Sequence, residues 1–215
     1  SSMSHSLAFC QAIESLSELE VPDQVNYMRV FFCELERLCN HFGDLGAIML
    51  DTGFNFGGAH GARLKEECMR IADELSGSRF LRGVNIYGGL RTSITREKIK
   101  NITEKFDELE KDFSQVMRIV EHNSSLIDRL VGTGKLILTT ARDHGVVGVT
   151  ARALGIEVDM RVDFPYAAYG QLTIPLALEK TGDVYARFYV RIKEVYTSFE
   201  ILKKCLQTIF SLPAV

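Results

Sequence analysis

The apolar residues of segment 95–122 recur every three or four positions, and this spacing constrains the fold more than any other feature of the chain. They would form one stripe along a helix: Ile99, Ile102, Phe106, Leu109, Phe113, Val116, Met117 and Val120. Charged residues occupy the positions between them, and some can pair at a spacing of four. The pattern predicts a long amphipathic helix that packs one face against other helices.

Four other segments show helical spacing. One runs to about Glu18, one from Pro22 to about Met49, one over about 62–75 with a left-handed cap at Gly77, and one from Asp183 to about Ile209. We therefore predict a mainly α fold, a bundle of long packed helices with little β structure, in a single domain over residues 1–215.

Two weaker predictions concern the connections. The glycine-rich segment 53–61 is predicted to be a connection between helices, because glycine favours turns and close backbone approach. Segment 173–178 is predicted to form one short strand.

Composition excludes several classes of protein. The chain has 215 residues, of which 46% are hydrophobic, so a packed core is expected. Its net charge of −3 and its interleaved acids and bases argue against a nucleic-acid partner. No apolar run reaches the roughly 18 residues that span a bilayer, and the first residues lack the features of a signal peptide. The cytoplasm is the expected location.

The cysteines give no metal site by their spacing. The five cysteines are scattered along the chain, and no CxxC pair occurs. Each stands beside apolar residues in a helical context, so we interpret them as reduced thiols of the core.

Two residues are candidates for chemistry. His5 precedes an apolar run, and its imidazole can exchange a proton near neutral pH, although a capping role is an alternative. Asp51 interrupts the most apolar stretch of the chain, where a carboxylate needs a partner, although it can also be a polar group at a helix end.

The segment from Asp159 to Tyr169 concentrates polar residues beside apolar ones. Asp159 and Arg161 fit an ion pair that fixes a loop. Tyr166 and Tyr169 either donate hydrogen bonds or pack. If the chain were an unrelated helical bundle, these polar groups would be scattered over solvent-facing loops instead of converging.

Several short motifs, in a fixed order along nearly the whole chain, resemble one known family. They are Ser4-His5-Ser6, Glu34-Leu-Glu36-Arg37, Gly77-Ser-Arg79, Gly88-Gly89, Arg152-Ala-Leu-Gly155, Asp159-Met-Arg161, Pro165-Tyr166 and Gly182-Asp183. The chain resembles the large subunit shared by membrane-bound nickel–iron hydrogenases, as in formate hydrogenlyase, and by complex I (NADH–quinone oxidoreductase). The resemblance implies the central, helical part of that large-subunit fold.

The resemblance also shows what the chain lacks. The hydrogenases bind nickel through two CxxC pairs, one near each end of the subunit, and neither pair is present. We expect the chain to be a fragment of a longer subunit, without both terminal CxxC regions. The resemblance therefore implies no cofactor within this segment, with a nickel–iron centre or a quinone left as alternatives for the full-length parent.

The resemblance implies roles for four residues. His5 corresponds to a histidine near the nickel or quinone site and would relay a proton, with Asp51 as its carboxylate partner. Arg63 and Arg82 would lie near an iron–sulfur cluster of a small partner subunit and tune it electrostatically. Leu81-Arg82 replaces the histidine that complex I has near this cluster, which removes one hydrogen bond.

Two functional hypotheses follow from the resemblance. In the first, the parent is an oxidoreductase subunit that passes electrons from the partner's iron–sulfur cluster to protons or to quinone. In the second, it is a non-catalytic scaffold of the same descent that has lost the nickel site. The implied partners are the small iron–sulfur subunit, an adjacent hydrophilic subunit and a membrane subunit, with the complex peripheral on the cytoplasmic face of the inner membrane.

Overall fold

A computed structural model describes residues 1–92 and 96–212. Its long helices are α1 (Ser2–Leu16), α2 (Asp23–Asp51), α3 (Asn55–Ser76) and α4 (Arg96–Glu121), and the last helix is α9 (Val184–Ser211). The mainly α prediction is confirmed. The predicted start of α4 at residue 95 lies outside the described residues.

Short elements connect α4 to α9. They are α5 (Ser124–Leu130), α6 (Leu138–Asp143), α7 (Gly148–Arg152), α8 (Met160–Asp163) and a 3₁₀ turn at Tyr169–Gln171. Strands β1 (Asn85–Ile86) and β2 (Gly89–Leu90) form a small antiparallel hairpin. The strand predicted at 173–178 is wrong, because this segment is extended but pairs with no other strand among the described residues.

The glycine-rich segment is not the connection that we predicted. Gly57, Gly58 and Gly61 belong to α3, which begins at Asn55. A Cβ on Gly61 would lie 2.5 Å from the Cα of Gly46 on α2, a distance that real side chains do not reach. The glycines are therefore needed for close helix packing, and this contact outweighs their low helix propensity.

Helices α2 and α9 occupy the centre of the molecule. Aromatic side chains join them to α4: Phe42 lies 5.3 Å from Phe113 between ring centroids, and Phe106 lies 6.4 Å from Phe199. These rings are buried, so α4 covers the α2–α9 pair with its apolar stripe as the spacing predicts. Among the described helices, none is long and apolar enough to cross a membrane.

Both predicted helix caps are confirmed. Gly77 ends α3 in the left-handed conformation, at φ +70°. Asp183 begins α9, and its carboxylate accepts a hydrogen bond from the Ala186 amide at 2.9 Å. The same carboxylate accepts one from the Gly132 amide, which ties the loop after α5 to the start of α9.

Candidate functional site

A buried carboxylate on α2 is the centre of the polar interior. Glu34 is fully buried, and its oxygens accept hydrogen bonds from Tyr169 Oη at 2.5 Å and Ser198 Oγ at 2.6 Å. Two guanidinium groups, those of Arg161 at 3.2 Å and Arg37 at 3.3 Å, neutralise its charge. A buried carboxylate requires such a set of donors and cations.

The same ion network continues from Arg161 to the other end of α9. Arg161 binds Asp159 with two nitrogens, at 2.8 and 3.0 Å, and Arg152 lies 3.8 Å from the same carboxylate. Arg152 also contacts Glu194 on α9 at 2.5 Å, and Glu194 lies 2.7 Å from Nε2 of His41. We call these residues the buried ion network; they are Glu34, Arg37, His41, Arg152, Asp159, Arg161, Tyr169, Glu194 and Ser198.

The electrostatics of the network keep its carboxylates ionised. Burial alone would raise the pKa of Glu34, but the charges of Arg37 and Arg161 and two hydroxyl donors lower it to about 2. Burial is likewise outweighed at Asp159, where Arg161 lowers the pKa to about 2, and at Glu194, whose pKa is lowered by His41 and Arg152. These carboxylates therefore hold no proton to give near neutral pH.

The network has a structural consequence. Arg152, Asp159 and Arg161 belong to the irregular connection between α6 and α9, and they reach acids on α2 and α9. Burial and the charge of Glu34 raise the pKa of Tyr169, so its hydroxyl stays protonated as a donor. The polar groups of segment 159–169 thus converge, and the predicted Asp159–Arg161 ion pair is confirmed.

A separate cavity lies where the start of α1 meets α2, α3 and the loop after α3. Its volume is about 220 Å³. Its wall combines ionic and apolar groups: Ser1, Ser2, Glu36, Cys39, Asn40, Lys65, Met69, Ala72, Arg79, Phe80 and Leu81. Glu36 fixes α1 here, because it accepts a hydrogen bond from the Met3 amide at 2.9 Å.

The structure does not bring His5 and Asp51 together. Both are exposed. His5 lies one turn from the Glu36 contact, whereas Asp51 ends α2 fifteen residues beyond Glu36, which is about 22 Å along the helix. A direct His5–Asp51 pair within this chain is therefore excluded, while the separate roles of the two residues stay predictions.

The two predicted cluster-tuning arginines also lie apart. Arg82 is exposed and stacks on the Phe80 ring at 5.5 Å, directly after the Phe80 and Leu81 side chains that line the cavity. Arg63 instead pairs with Asp112 on α4 at 2.5 Å, in a partly exposed ion pair. Of the four predicted residues, His5 and Arg82 thus flank the cavity and the other two do not.

Sequence reasoning missed most of the ion network. We expected the polar residues of α2 to face solvent, but Arg29 and Glu34 are fully buried. Arg29 binds Glu14 on α1 at 2.6 Å instead. A signal was available, because Glu34 and His41 stand seven residues apart in the same register as Leu38 and Leu45, which places them on a buried stripe.

No nickel site is formed by the residues that the structure describes. Within residues 1–92 and 96–212, no group of three or more His, Cys, Asp or Glu side chains could bind a metal ion. The five cysteines are free, and four are buried in the core. The hydrogenase scheme for nickel does not fit these residues.

The helical fold and its ordered motifs define a class, the large subunits of complex I-type and hydrogenase-type complexes. A family model described as respiratory-chain NADH dehydrogenase, 49 Kd subunit, matches residues 51–214, and the chain belongs to this family. The match includes most of α3 to α9 and therefore all of the network except its α2 residues.

Relatives of both types cover almost the whole chain. It is 30% identical over 97% of its length to the second D-type subunit of NADH-quinone oxidoreductase from Salinispora arenicola (strain CNS-205) and covers 54% of that protein. For the D-type subunit of the same enzyme from Erythrobacter litoralis (strain HTCC2594), the values are 35%, 95% and 50%. For formate hydrogenlyase subunit 5 of Escherichia coli (strain K12), they are 31%, 92% and 35%. The chain spans about half the length, or less, of these curated relatives.

Proposed function

We propose that this chain is the helical core of the large subunit of a membrane-associated redox complex. In the complete protein, electrons would pass from an iron–sulfur cluster on a small partner subunit to quinone or to protons. The observation that carries this proposal is the similarity over 92–97% of the chain to subunits of NADH-quinone oxidoreductase and formate hydrogenlyase. The subunit would be peripheral, on the cytoplasmic face of the inner membrane, attached through its partners.

The cavity at the start of α1 is the part of the chain that we propose contributes to the acceptor site. Lys65 and Arg79 offer donors to a quinone carbonyl, and Phe80 offers an aromatic surface. At about 220 Å³ the cavity accepts a ring-sized headgroup and not a whole lipid-tailed quinone. His5 and Arg82 flank it, which supports their proposed roles as proton relay and as electrostatic tuning of the cluster.

Asp51 and Arg63 need a different account. Since Asp51 lies about 22 Å from the His5 end of α2, it would act on protons through other groups of the complete complex. Arg63 is already engaged by Asp112, and this pair raises the pKa of its guanidinium. Arg63 would therefore present a fixed positive charge to the partner subunit.

The test uses the full-length parent, purified with its partner subunits. Nickel content, hydrogen production and quinone reduction are measured on the same preparation. One nickel per subunit with hydrogen production assigns protons as the acceptor, whereas quinone reduction without nickel assigns quinone.

The variants His5→Ala and Arg82→Ala test the cavity assignment. Loss of a general acid typically lowers the rate by on the order of 100-fold or more, so His5→Ala should have a large effect on kcat. His144→Ala and Arg142→Ala are matched controls, because both residues are exposed at the end of α6. Turnover that is equal in all four variants would remove His5 and Arg82 from the site.

The scaffold hypothesis remains the second candidate, and one observation favours it. The ion network ties three regions of the chain together but has no proton to transfer near neutral pH, as expected of a purely structural core. If the parent is a scaffold, the purified complex has neither activity that depends on His5, yet partner subunits dissociate when Glu34 is replaced.

A further inference from the structure

Two cysteines face each other across the α2–α3 interface. The helices are antiparallel, and Gly46 lies against Gly61 in backbone contact. Cys39 and Cys68 each stand seven residues from these glycines, which is about two helical turns along the same face. The thiol of Cys68 forms a side-chain interaction with the thiol of Cys39, as this register requires.

The two thiols differ in their access to solvent. Cys39 is partly exposed and lines the cavity at the start of α1. Cys68 has no exposed surface, and burial raises the pKa of its thiol well above the usual value. A small oxidant entering the cavity therefore meets Cys39 first and reaches Cys68 only through it.

We propose that Cys39 and Cys68 form a peroxide-oxidised thiol pair, with Cys39 as the reacting thiol and Cys68 as the resolving thiol. Hydrogen peroxide oxidises the Cys39 sulfur to a sulfenic acid and is itself reduced to water. The Cys68 sulfur then displaces the hydroxyl group of the sulfenic acid, and its proton leaves with that group as a second water. Two thiols and one peroxide give one disulfide and two waters.

The disulfide would change the cavity. It would join α2 to α3 covalently and remove the Cys39 thiol from the wall that Lys65 and Met69 share. This modification depends only on the geometry of the pair, so it does not require that the cavity bind a quinone.

Peptide mapping tests the pair directly in the full chain. Trypsin cleaves after Arg37, Arg63, Lys65 and Arg70, so Cys39 and Cys68 fall in two separate peptides that contain no other cysteine. After treatment with hydrogen peroxide and digestion without reductant, we expect one linked peptide that is lighter than the sum of its parts by two hydrogens. Dithiothreitol should separate it again.

Variants assign the two roles. In Cys68→Ser, Cys39 should accumulate as a sulfenic acid that dimedone labels, whereas in Cys39→Ser, Cys68 should remain a free thiol. Cys10→Ser is the matched control, because Cys10 lies on α1 away from the pair, and it should keep the linked peptide. If peroxide gives only sulfinic or sulfonic acid at Cys39 in the unmodified chain, or leaves both thiols free, the pair does not resolve and the assignment is wrong. The mapping of the unmodified chain decides this even where a variant fails to fold.

Discussion

Replacement of Glu34 by glutamine removes one negative charge from the centre of the buried ion network and leaves the shape of the side chain almost unchanged. Arg37 and Arg161 would then lose a carboxylate partner in the protein interior, where an uncompensated charge is strongly unfavourable. Tyr169 and Ser198 can still donate to the amide oxygen, so the change tests charge more than hydrogen bonding.

The structure gives the size of the effect. In the folded chain the pKa of Glu34 falls from its ordinary 4.5 to about 2, and a difference of this size corresponds to about 3 kcal/mol of folding free energy. Breaking a buried ion pair from one side costs a similar 3–5 kcal/mol, roughly, in other proteins. For a chain of this length, about 3 kcal/mol lowers the melting temperature by roughly 6–12 °C.

The sign of the pH dependence follows from the same shift. Because the folded pKa lies below the unfolded one, the stabilisation by Glu34 is fully present above about pH 4.5 and is lost as the pH falls towards about 2. The difference in melting temperature between the wild type and Glu34→Gln should therefore shrink on acidification. Asp159, with a pKa lowered to about 2, contributes in the same window.

Thermal unfolding followed by circular dichroism at neutral pH measures the effect. Glu66→Gln is the control, since Glu66 lies in an exposed pair with Arg79, and we expect its melting temperature to equal that of the wild type. In the double variant Glu34→Gln/Arg161→Met, one charge of each sign is removed, so its loss should be smaller than the sum of the single losses. Equal melting temperatures for Glu34→Gln and Glu66→Gln, or additive losses in the double variant, would refute the reasoning.

Two further predictions concern backbone contacts. Gly61→Ala should destabilise the chain by about 1–3 kcal/mol, because the new methyl group meets the Gly46 Cα at 2.5 Å, whereas Gly43→Ala should be neutral or stabilising because only the flexible Lys65 side chain is near; urea denaturation compares them, and equal stability of the two variants contradicts the packing. Asp183→Ala should cost about 1–2 kcal/mol in the same assay, because the amides at the start of α9 lose their acceptor, and an unchanged midpoint would mean that water replaces the cap.

The sequence predicted the long helices well because their periodicity is a local signal. The end of α3 at Gly77 and the start of α9 at Asp183 were found because each cap depends on one residue and its immediate neighbours. The start of α3 was missed because the benefit of glycine there comes from Gly46, which is distant in sequence. Local rules assign glycine to loops, and only the packed pair shows why it stays in a helix.

The ion network was missed for a related reason, and its pattern shows what to search for in such chains. Glu34 and His41 on α2 face Ser198 and Glu194 on α9, so each helix carries polar groups within an otherwise apolar stripe. Alone, either stripe predicts a polar residue turned to solvent, because its partner lies on another helix. Two central helices with acids at buried positions require cations from elsewhere, and the arginines of an irregular connection such as 152–161 can supply them. Acids on two apolar stripes, together with arginines in a nearby loop, therefore predict that the loop is drawn into the core.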